Sequence, residues 1–335
     1  MSAPTVLIAG ASGFAGAIAA RLIDAHPQFE LGPITARADA GRRLSDLYPH
    51  HRVDRVLEEL DTGGAHGDVD AAIVGYPHAA SAPLVKELRD RGVRVIDLSA
   101  DFRLKDLATY EQYYGPHPAP ELIADAVYGL PELYREQIRS ADLVAGPGCY
   151  PTAAIVALDP LGPLGALDDV VIDAKSGVSG AGRAATETTH FVSVAENVRA
   201  YKVGSHRHAP EIDQQLTLSA GYELTTTFTP HLVPLDQGEL VSCYARRPDG
   251  VSLDDVKAQY AEAYAGEPFI DLVDAPPGVR DVRETNRCRI HVTEDARSGR
   301  LIVFAAIDNL WKGTASQAVQ SLNLMFGFDE TAGLT

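Results

Sequence analysis

Residues 5–25 read TVLIAGASGFAGAIAARLIDA. Thr5 to Ala9 form an apolar run of strand length. Gly10, Gly13 and Gly16 follow at three-residue spacing, and Ala17 to Ala25 predict a helix stopped by Pro27. A strand that passes through a glycine turn into a helix is the setting of a dinucleotide loop. Glycine lets the backbone approach a pyrophosphate, and the helix N-terminus offers N–H groups to it. The spacing is G-x-x-G-x-x-G rather than the G-x-G-x-x-G of the NAD-type fingerprint. Gly10, Ser12, Gly13, Phe14 and Gly16 are therefore candidate cofactor-binding residues.

Working outward, Phe29–Thr35, Ala71–Gly75 and Val93–Leu98 predict further strands, with a helical stretch over Ser81–Arg91. Strands alternating with helices at this spacing imply βαβ units and a parallel sheet. An NAD site usually has an acid at the end of its second strand, for the ribose 2′-hydroxyl. Here the chain runs Thr35-Ala-Arg37, with Arg42 and Arg43 behind. Arginine suits a 2′-phosphate, so the reading is NADP(H), with Asp39 as the competing acid. Asp101-Phe-Arg103, just after Ser99 at a strand end, is a candidate anion site.

The pattern changes at Gly146-Pro147-Gly148, after which a helix is expected from Pro151. Val170–Ala174, Leu224–Leu235, Glu239–Arg246, Arg289–Thr293 and Leu301–Ile307 read as strands, and Leu253–Tyr264 as a helix. This predicts a second, α+β domain with a mostly antiparallel sheet. A last helix spans Ala315–Phe326, with Val319, Leu322 and Phe326 on one face. The fold class expected is α/β: a Rossmann-type parallel-sheet domain plus an α+β catalytic domain.

A length of 335 residues suits two domains. No apolar run approaches the roughly 20 residues of a membrane span. The N-terminal apolar run lacks a basic segment before it, so it reads as a first strand and not a signal peptide. The formal charge of −17 argues against nucleic acid or anionic membrane as partners. Three cysteines, none in a C-x-x-C pair, argue against a disulfide framework or zinc knuckle and suit a reducing cytoplasm.

One cysteine stands apart. Pro147-Gly148-Cys149-Tyr150-Pro151 places Cys149 at a helix mouth, where the N–H groups stabilise a thiolate and an oxyanion on an attacked carbonyl. Cys243 lies within an apolar strand and Cys288 at a strand start, both read as inert. His206-Arg207-His208-Ala-Pro210-Glu211 supplies histidines for acid–base work. The two histidines have no third ligand nearby, so no metal site is expected. Ser176-Gly-Val-Ser179-Gly180-Ala-Gly182-Arg183 is a glycine-rich strand exit ending in arginine, suited to a phosphate or carboxylate.

Assembled, these residues resemble the N-acetyl-γ-glutamyl-phosphate reductase family of arginine biosynthesis, itself similar to aspartate-semialdehyde dehydrogenase in fold and chemistry. The resemblance is carried by GASGFAG, VIDLSADFRL, AVYGLPEL, VAGPGCYPTA, SGVSGAGR, AYKVGSHRHAPEI, FTPHLVPL and KGTASQAVQSLNLMFG, and runs nearly end to end. The chain departs from the family at Phe14, Ala15, Gln237 and Ser316. The resemblance implies an NADP-binding Rossmann domain over 1–148 with 313–335. It implies a catalytic, substrate and oligomerisation domain over 149–312. It further implies reduction of N-acetyl-glutamyl 5-phosphate by NADPH through a Cys149 thioester, with His206 or His208 as acid–base. Arg103, Arg183 and Arg207 would meet the substrate's carboxylate and phosphate. Arg37, Ser99, Ser179, Gly180 and Asn309 would join the glycine loop around the cofactor. A homodimer or homotetramer in the cytoplasm is expected. The alternatives are an N-acetyl-aminoadipyl-phosphate reductase of lysine biosynthesis and a non-catalytic NADP-binding sensor.

Overall fold

The computed structural model describes residues 2–61, 66 and 68–334. They form two compact units, Met1–Gly148 with Thr314–Thr335, and Cys149–Gly313.

The first unit holds strands β1 (Thr5–Ala9), β2 (Glu30–Thr35), β3 (Ala71–Val74), β4 (Arg94–Asp97), β5 (Val127–Tyr128) and β6 (Leu143–Ala145). They form a six-stranded sheet in the order β2-β1-β3-β4-β6-β5, with every neighbouring pair parallel. β3 is buried at every position and β1 at all but its first. Strands covered on both faces carry continuous apolar runs, so no alternation marks them in the sequence. Sheet order reverses at β1 and β3, and ligands of open α/β sheets bind beyond the carboxyl ends of strands at such a switch. The Ser316–Phe326 helix, buried from Ser316 to Met325, packs on the Phe14–Asp24 and Pro131–Arg139 helices.

The second unit holds β7 (Val171–Ser176), β8 (Arg199–Ala200), β9 (Thr227–Leu232), β10 (Glu239–Arg246), β11 (Ile270–Leu272), β12 (Cys288–Asp295) and β13 (Arg300–Ile307). Its seven-stranded mixed sheet runs β11-β12-β13-β10-β7-β9-β8. Here burial does alternate, as on β7 and β13, because one face packs on helices. The Cys149–Leu158 helix lies on β10 and β13 and is buried at every residue from Tyr150 to Leu158.

Two helix starts differ from expectation. The first helix begins at Phe14, not Ala17, so Gly16 falls in its first turn. Glycine is a poor helix former, yet a Cβ at Gly16 would lie 2.3 Å from the Gly10 carbonyl oxygen. Close packing therefore puts a glycine inside the helix. The second begins at Cys149, not Pro151. Proline is tolerated throughout a first turn, where its missing N–H costs nothing. Among the described residues no helix is long and apolar enough to cross a membrane.

Candidate active site

In the first unit the loop after β1 is pinned by backbone bonds. The Gly10 and Ala11 N–H groups donate to the Thr35 carbonyl at 3.0 and 2.9 Å. Gly10 has a φ of +89°, and a Cβ there would meet the Gly75 carbonyl oxygen at 2.9 Å. This glycine is thus needed both for its backbone angle and for the approach of β1 to the end of β3. Gly13 caps the helix in extended conformation, and no acidic residue occupies the first turn. The Tyr48 hydroxyl donates to the Ser12 carbonyl at 2.9 Å, and the Phe14 ring meets Tyr48 edge-on at 6.2 Å. A bare helix N-terminus without a competing carboxylate fits a dinucleotide pyrophosphate.

Arg37 is exposed at the end of β2, its guanidinium carbon 4.9 Å from the centroid of Tyr76. Tyr76 in turn bonds Thr35 through their hydroxyls at 3.3 Å. Asp39 pairs with Arg42 at 3.0 Å, and Arg43 with Asp54 at 2.8 Å. Ser99 is buried, donating to Asp97 at 2.6 Å and accepting from the Asp101 N–H at 3.0 Å. Its hydroxyl holds the turn after β4. Arg103 is buried as well, and donates to the carbonyls of Gly146 at 2.7 Å and Leu98 at 2.8 Å. Its guanidinium thereby fixes the backbone that leads to Cys149.

In the second unit Cys149 is the first residue of its helix and is half-buried, whereas Cys243 and Cys288 are fully buried. Burial pushes the Cys243 thiol far above the usual range. A Cβ added at Gly313 would stand 2.8 Å from that of Cys149, so the thiol-bearing residue rests against bare backbone.

Tyr150 extends the site. Its hydroxyl donates to the His231 carbonyl at 3.0 Å and receives the Tyr201 hydroxyl at 3.5 Å. Its ring meets His206 edge-on at 5.8 Å and His208 at 6.0 Å. His206 is buried among Tyr150, Tyr201 and Phe228. Burial first, then the charges of Lys202 and Arg207, pull its pKa down to about 4. It is neutral at pH 7. Its Nδ1 accepts from the His208 N–H at 3.1 Å, so the neutral ring carries its proton on Nε2. His208 caps the following helix, with Arg207 half-buried beside it.

The glycine-rich exit of β7 forms a second edge. The Asn309 amide donates to Ser179 Oγ at 3.0 Å, and its oxygen accepts from the Gly238 N–H at 2.7 Å. A Cβ at Gly180 would approach Ser176 Oγ at 3.4 Å and Asn309 Nδ2 at 3.6 Å. Ser179, Gly180 and Asn309 thus come together, while Arg183 is exposed further along the loop.

Sequence reasoning missed one group here, Glu239, read only as the start of a strand. It is fully buried, neither carboxyl oxygen has a hydrogen-bond partner among the described residues, and burial pushes its carboxyl up to about 8. The signal was present: Glu239 shares the inward phase of β10 with Val241, Cys243 and Ala245. Among the described residues no group of three or more His, Cys, Asp or Glu side chains could hold a metal ion.

Two family models divide the chain between them. The semialdehyde dehydrogenase NAD binding domain matches residues 5–141, and the semialdehyde dehydrogenase dimerisation domain matches 149–309. The N-acetyl-gamma-glutamyl-phosphate reductase of Desulforudis audaxviator is 48% identical over 336 residues, covering 98% of this chain and 96% of that protein. That of Syntrophobacter fumaroxidans is 46% identical over 334 residues, covering 98% and 97%. Among solved structures, aspartate semialdehyde dehydrogenase II of Vibrio cholerae, complexed with ASA, superposes with a TM-score of 0.75 at 18% identity, covering 98% of this chain and 99% of that one. The Candida albicans aspartate semialdehyde dehydrogenase with NADP gives 0.70 at 16% identity, covering 97% and 99%. At these identities the structural likeness carries the fold, and the sequence likeness carries the family. On both, the chain is built on the semialdehyde dehydrogenase fold and belongs to the N-acetyl-gamma-glutamyl-phosphate reductase family.

Proposed function

We propose that this protein reduces N-acetyl-glutamyl 5-phosphate to N-acetyl-glutamate 5-semialdehyde and phosphate with NADPH, as a cytoplasmic step of arginine biosynthesis. The observation that carries the chemistry is the half-buried Cys149 thiol at the head of a buried helix, with the other two thiols shut in the core. The substrate is inferred from the names of relatives at 46–48% identity.

The Cys149 thiolate attacks the acyl carbon, the bond to the phosphate oxygen breaks, and a thioester forms. N–H groups at the helix mouth stabilise the oxyanion of each tetrahedral stage. Bound NADPH would supply hydride to the thioester carbonyl. The thiohemiacetal on Cys149 then collapses to the aldehyde and returns the sulfur. Neutral His206, with His208, serves as acid–base. Arg103, Arg183 and Arg207 provide positive charge for the substrate's carboxylate and phosphate. Gly10, Ser12, Gly13, Phe14 and Gly16 would hold the pyrophosphate. Ser99, Ser179, Gly180 and Asn309 would support the remainder of the cofactor. NADP over NAD is favoured by Arg37, and by the pairing of the competing acid Asp39 with Arg42.

The protein is further proposed to act as a homo-oligomer. Val171, Leu240, Tyr244, Ile302 and Phe304 lie half-exposed on the sheet face opposite the Cys149 helix. An apolar face of this kind suits a second copy of the chain.

The decisive experiment is Cys149→Ser. It should keep NADPH binding and lose turnover by a factor on the order of 10³ or more. The reverse assay, semialdehyde with NADP and phosphate, reads this as NADPH formed. Retained turnover rejects the covalent route. A preference for the aminoadipate analogue reassigns the substrate, and a wild-type protein inert to both acts as an NADP sensor.

A further inference from the structure

Helices open after both β1 and β3, and their N-termini are held in different ways. Before the Ser81–Asp90 helix, the fully buried Asp101 carboxylate accepts from the Ala79 N–H at 2.9 and 3.0 Å and from the Ala82 N–H at 2.9 Å. An internal anion thus takes the donors of that turn. The Phe14–Asp24 helix has no acid in its first turn, and its N-cap Gly13 makes no side-chain cap bond. A carboxylate would steady this loop too, but it would consume the same N–H groups and repel a pyrophosphate.

A neutral donor steadies it instead. The Gly13 N–H donates to the Gly10 carbonyl at 3.1 Å. At the other end of the same peptide plane, the Ser12 carbonyl accepts from the Tyr48 hydroxyl at 2.9 Å. The Ser12–Gly13 peptide is bonded on both sides, so it cannot rotate without breaking both bonds.

Tyr48 is itself rigidly mounted. The segment after β2 doubles back on itself: the Gly41 N–H donates to the Leu57 carbonyl at 2.7 Å, that of Leu57 to Arg42 at 2.8 Å, and that of Leu44 to Arg55 at 2.9 Å. Leu44, Val53 and Leu57 are buried beneath it. The Tyr48 N–H donates to the Leu44 carbonyl at 2.9 Å, and its carbonyl accepts from the His51 N–H at 3.0 Å. Its ring is buried, stacked on His51 at 5.3 Å and edge-on to Phe14 at 6.2 Å.

We propose that Tyr48 is a positioning residue for the dinucleotide: its hydroxyl, by holding the Ser12–Gly13 peptide, keeps the N–H groups at the start of the Phe14–Asp24 helix aimed at the pyrophosphate. It acts through the backbone of Ser12 and Gly13. NADPH and NADH share the pyrophosphate, so Tyr48 serves both alike, unlike Arg37. One folded segment therefore carries both the side chain that meets a 2′-phosphate and the brace of the pyrophosphate loop.

This inference rests on the reading of Gly10–Gly16 as a pyrophosphate loop. The test is Tyr48→Phe in the full-length protein, which removes the hydroxyl and keeps the ring between Phe14 and His51. Titration of nucleotide-free protein with NADPH and with NADH should show both weakened by about 5-fold, the worth of one neutral hydrogen bond, with their ratio unchanged. Hydrogen–deuterium exchange of the nucleotide-free variant should quicken over Gly10–Phe14 and match the wild type over the Ser81–Asp90 helix. In turnover the KM for NADPH should rise with kcat unaltered. Affinities equal to those of the wild type overturn the proposal even if exchange quickens, because the bond then serves the fold alone. A loss confined to NADPH also overturns it, since Tyr48 would then be serving the 2′-phosphate. A wild type that binds neither nucleotide refutes the loop reading itself, and the wild-type titration alone shows this.

Discussion

Arg37 is a single side chain whose surroundings choose between two cofactors. It reaches over Tyr76 at the end of β2, while the nearby acid is paired with Arg42 at 3.0 Å. A guanidinium on a 2′-phosphate contributes about 1.5–3 kcal/mol through charge-assisted bonds. Arg37→Ala should therefore weaken NADPH binding by roughly 10- to 100-fold, with NADH binding unaltered. Fluorescence titration with both nucleotides checks this. Equal loss for both would mean that Arg37 shapes the loop and does not read the phosphate. His206 shows the opposite kind of tuning. Its neighbours are aromatic and cationic, and its low pKa keeps the ring neutral throughout the range where the enzyme would work.

At the level of elements, the glycine loop and the helix starts at Phe14 and Cys149 explain what could be read in advance. Glycine, proline and cysteine mark positions where backbone geometry or reactivity overrides packing, so Gly10–Gly16, Cys149 and the Ser176–Arg183 loop were legible. The strand-to-helix alternation was legible too, because it is written in apolar runs many residues long. The short strands β5, β8 and β11 were not, since two or three residues carry no period. Tyr150 and Tyr201 escaped for another reason: their hydroxyls meet each other and the His231 carbonyl across segments far apart in the chain, which no local signal announces. The Gly16 contact gives a test at this scale. Gly16→Ala places a methyl 2.3 Å from the Gly10 oxygen and 2.9 Å from Ala11 Cα. Both are backbone atoms, so the helix must shift. The expected cost is about 1–3 kcal/mol, with weaker NADPH binding. A thermal melt and a binding titration measure the two effects, and an unchanged melt would contradict the tight contact.

For the whole molecule the governing facts are a strong negative charge and an apolar sheet face. The net charge of −17 keeps copies apart unless a specific surface overcomes it. The face bearing Tyr244, Ile302 and Phe304 is the surface proposed to do so, and His291 stacks on Phe304 at 6.4 Å within it. Phe304→Asp should convert the wild-type oligomer into a smaller species in analytical ultracentrifugation. A wild type that sediments as a monomer would exclude this assembly.

The contact between Cys149 and Gly313 has a topological meaning. These are the first and last residues of the second unit, and they lie so close that a Cβ on Gly313 would stand 3.3 Å from the Cys149 Cα. The chain therefore enters and leaves this unit through one narrow neck, as an inserted module does. Its two ends could be joined by a short linker without unthreading the sheet. The residue proposed to carry the chemistry is also the doorpost of the insertion, so any exchange of modules between related chains must cut beside the nucleophile.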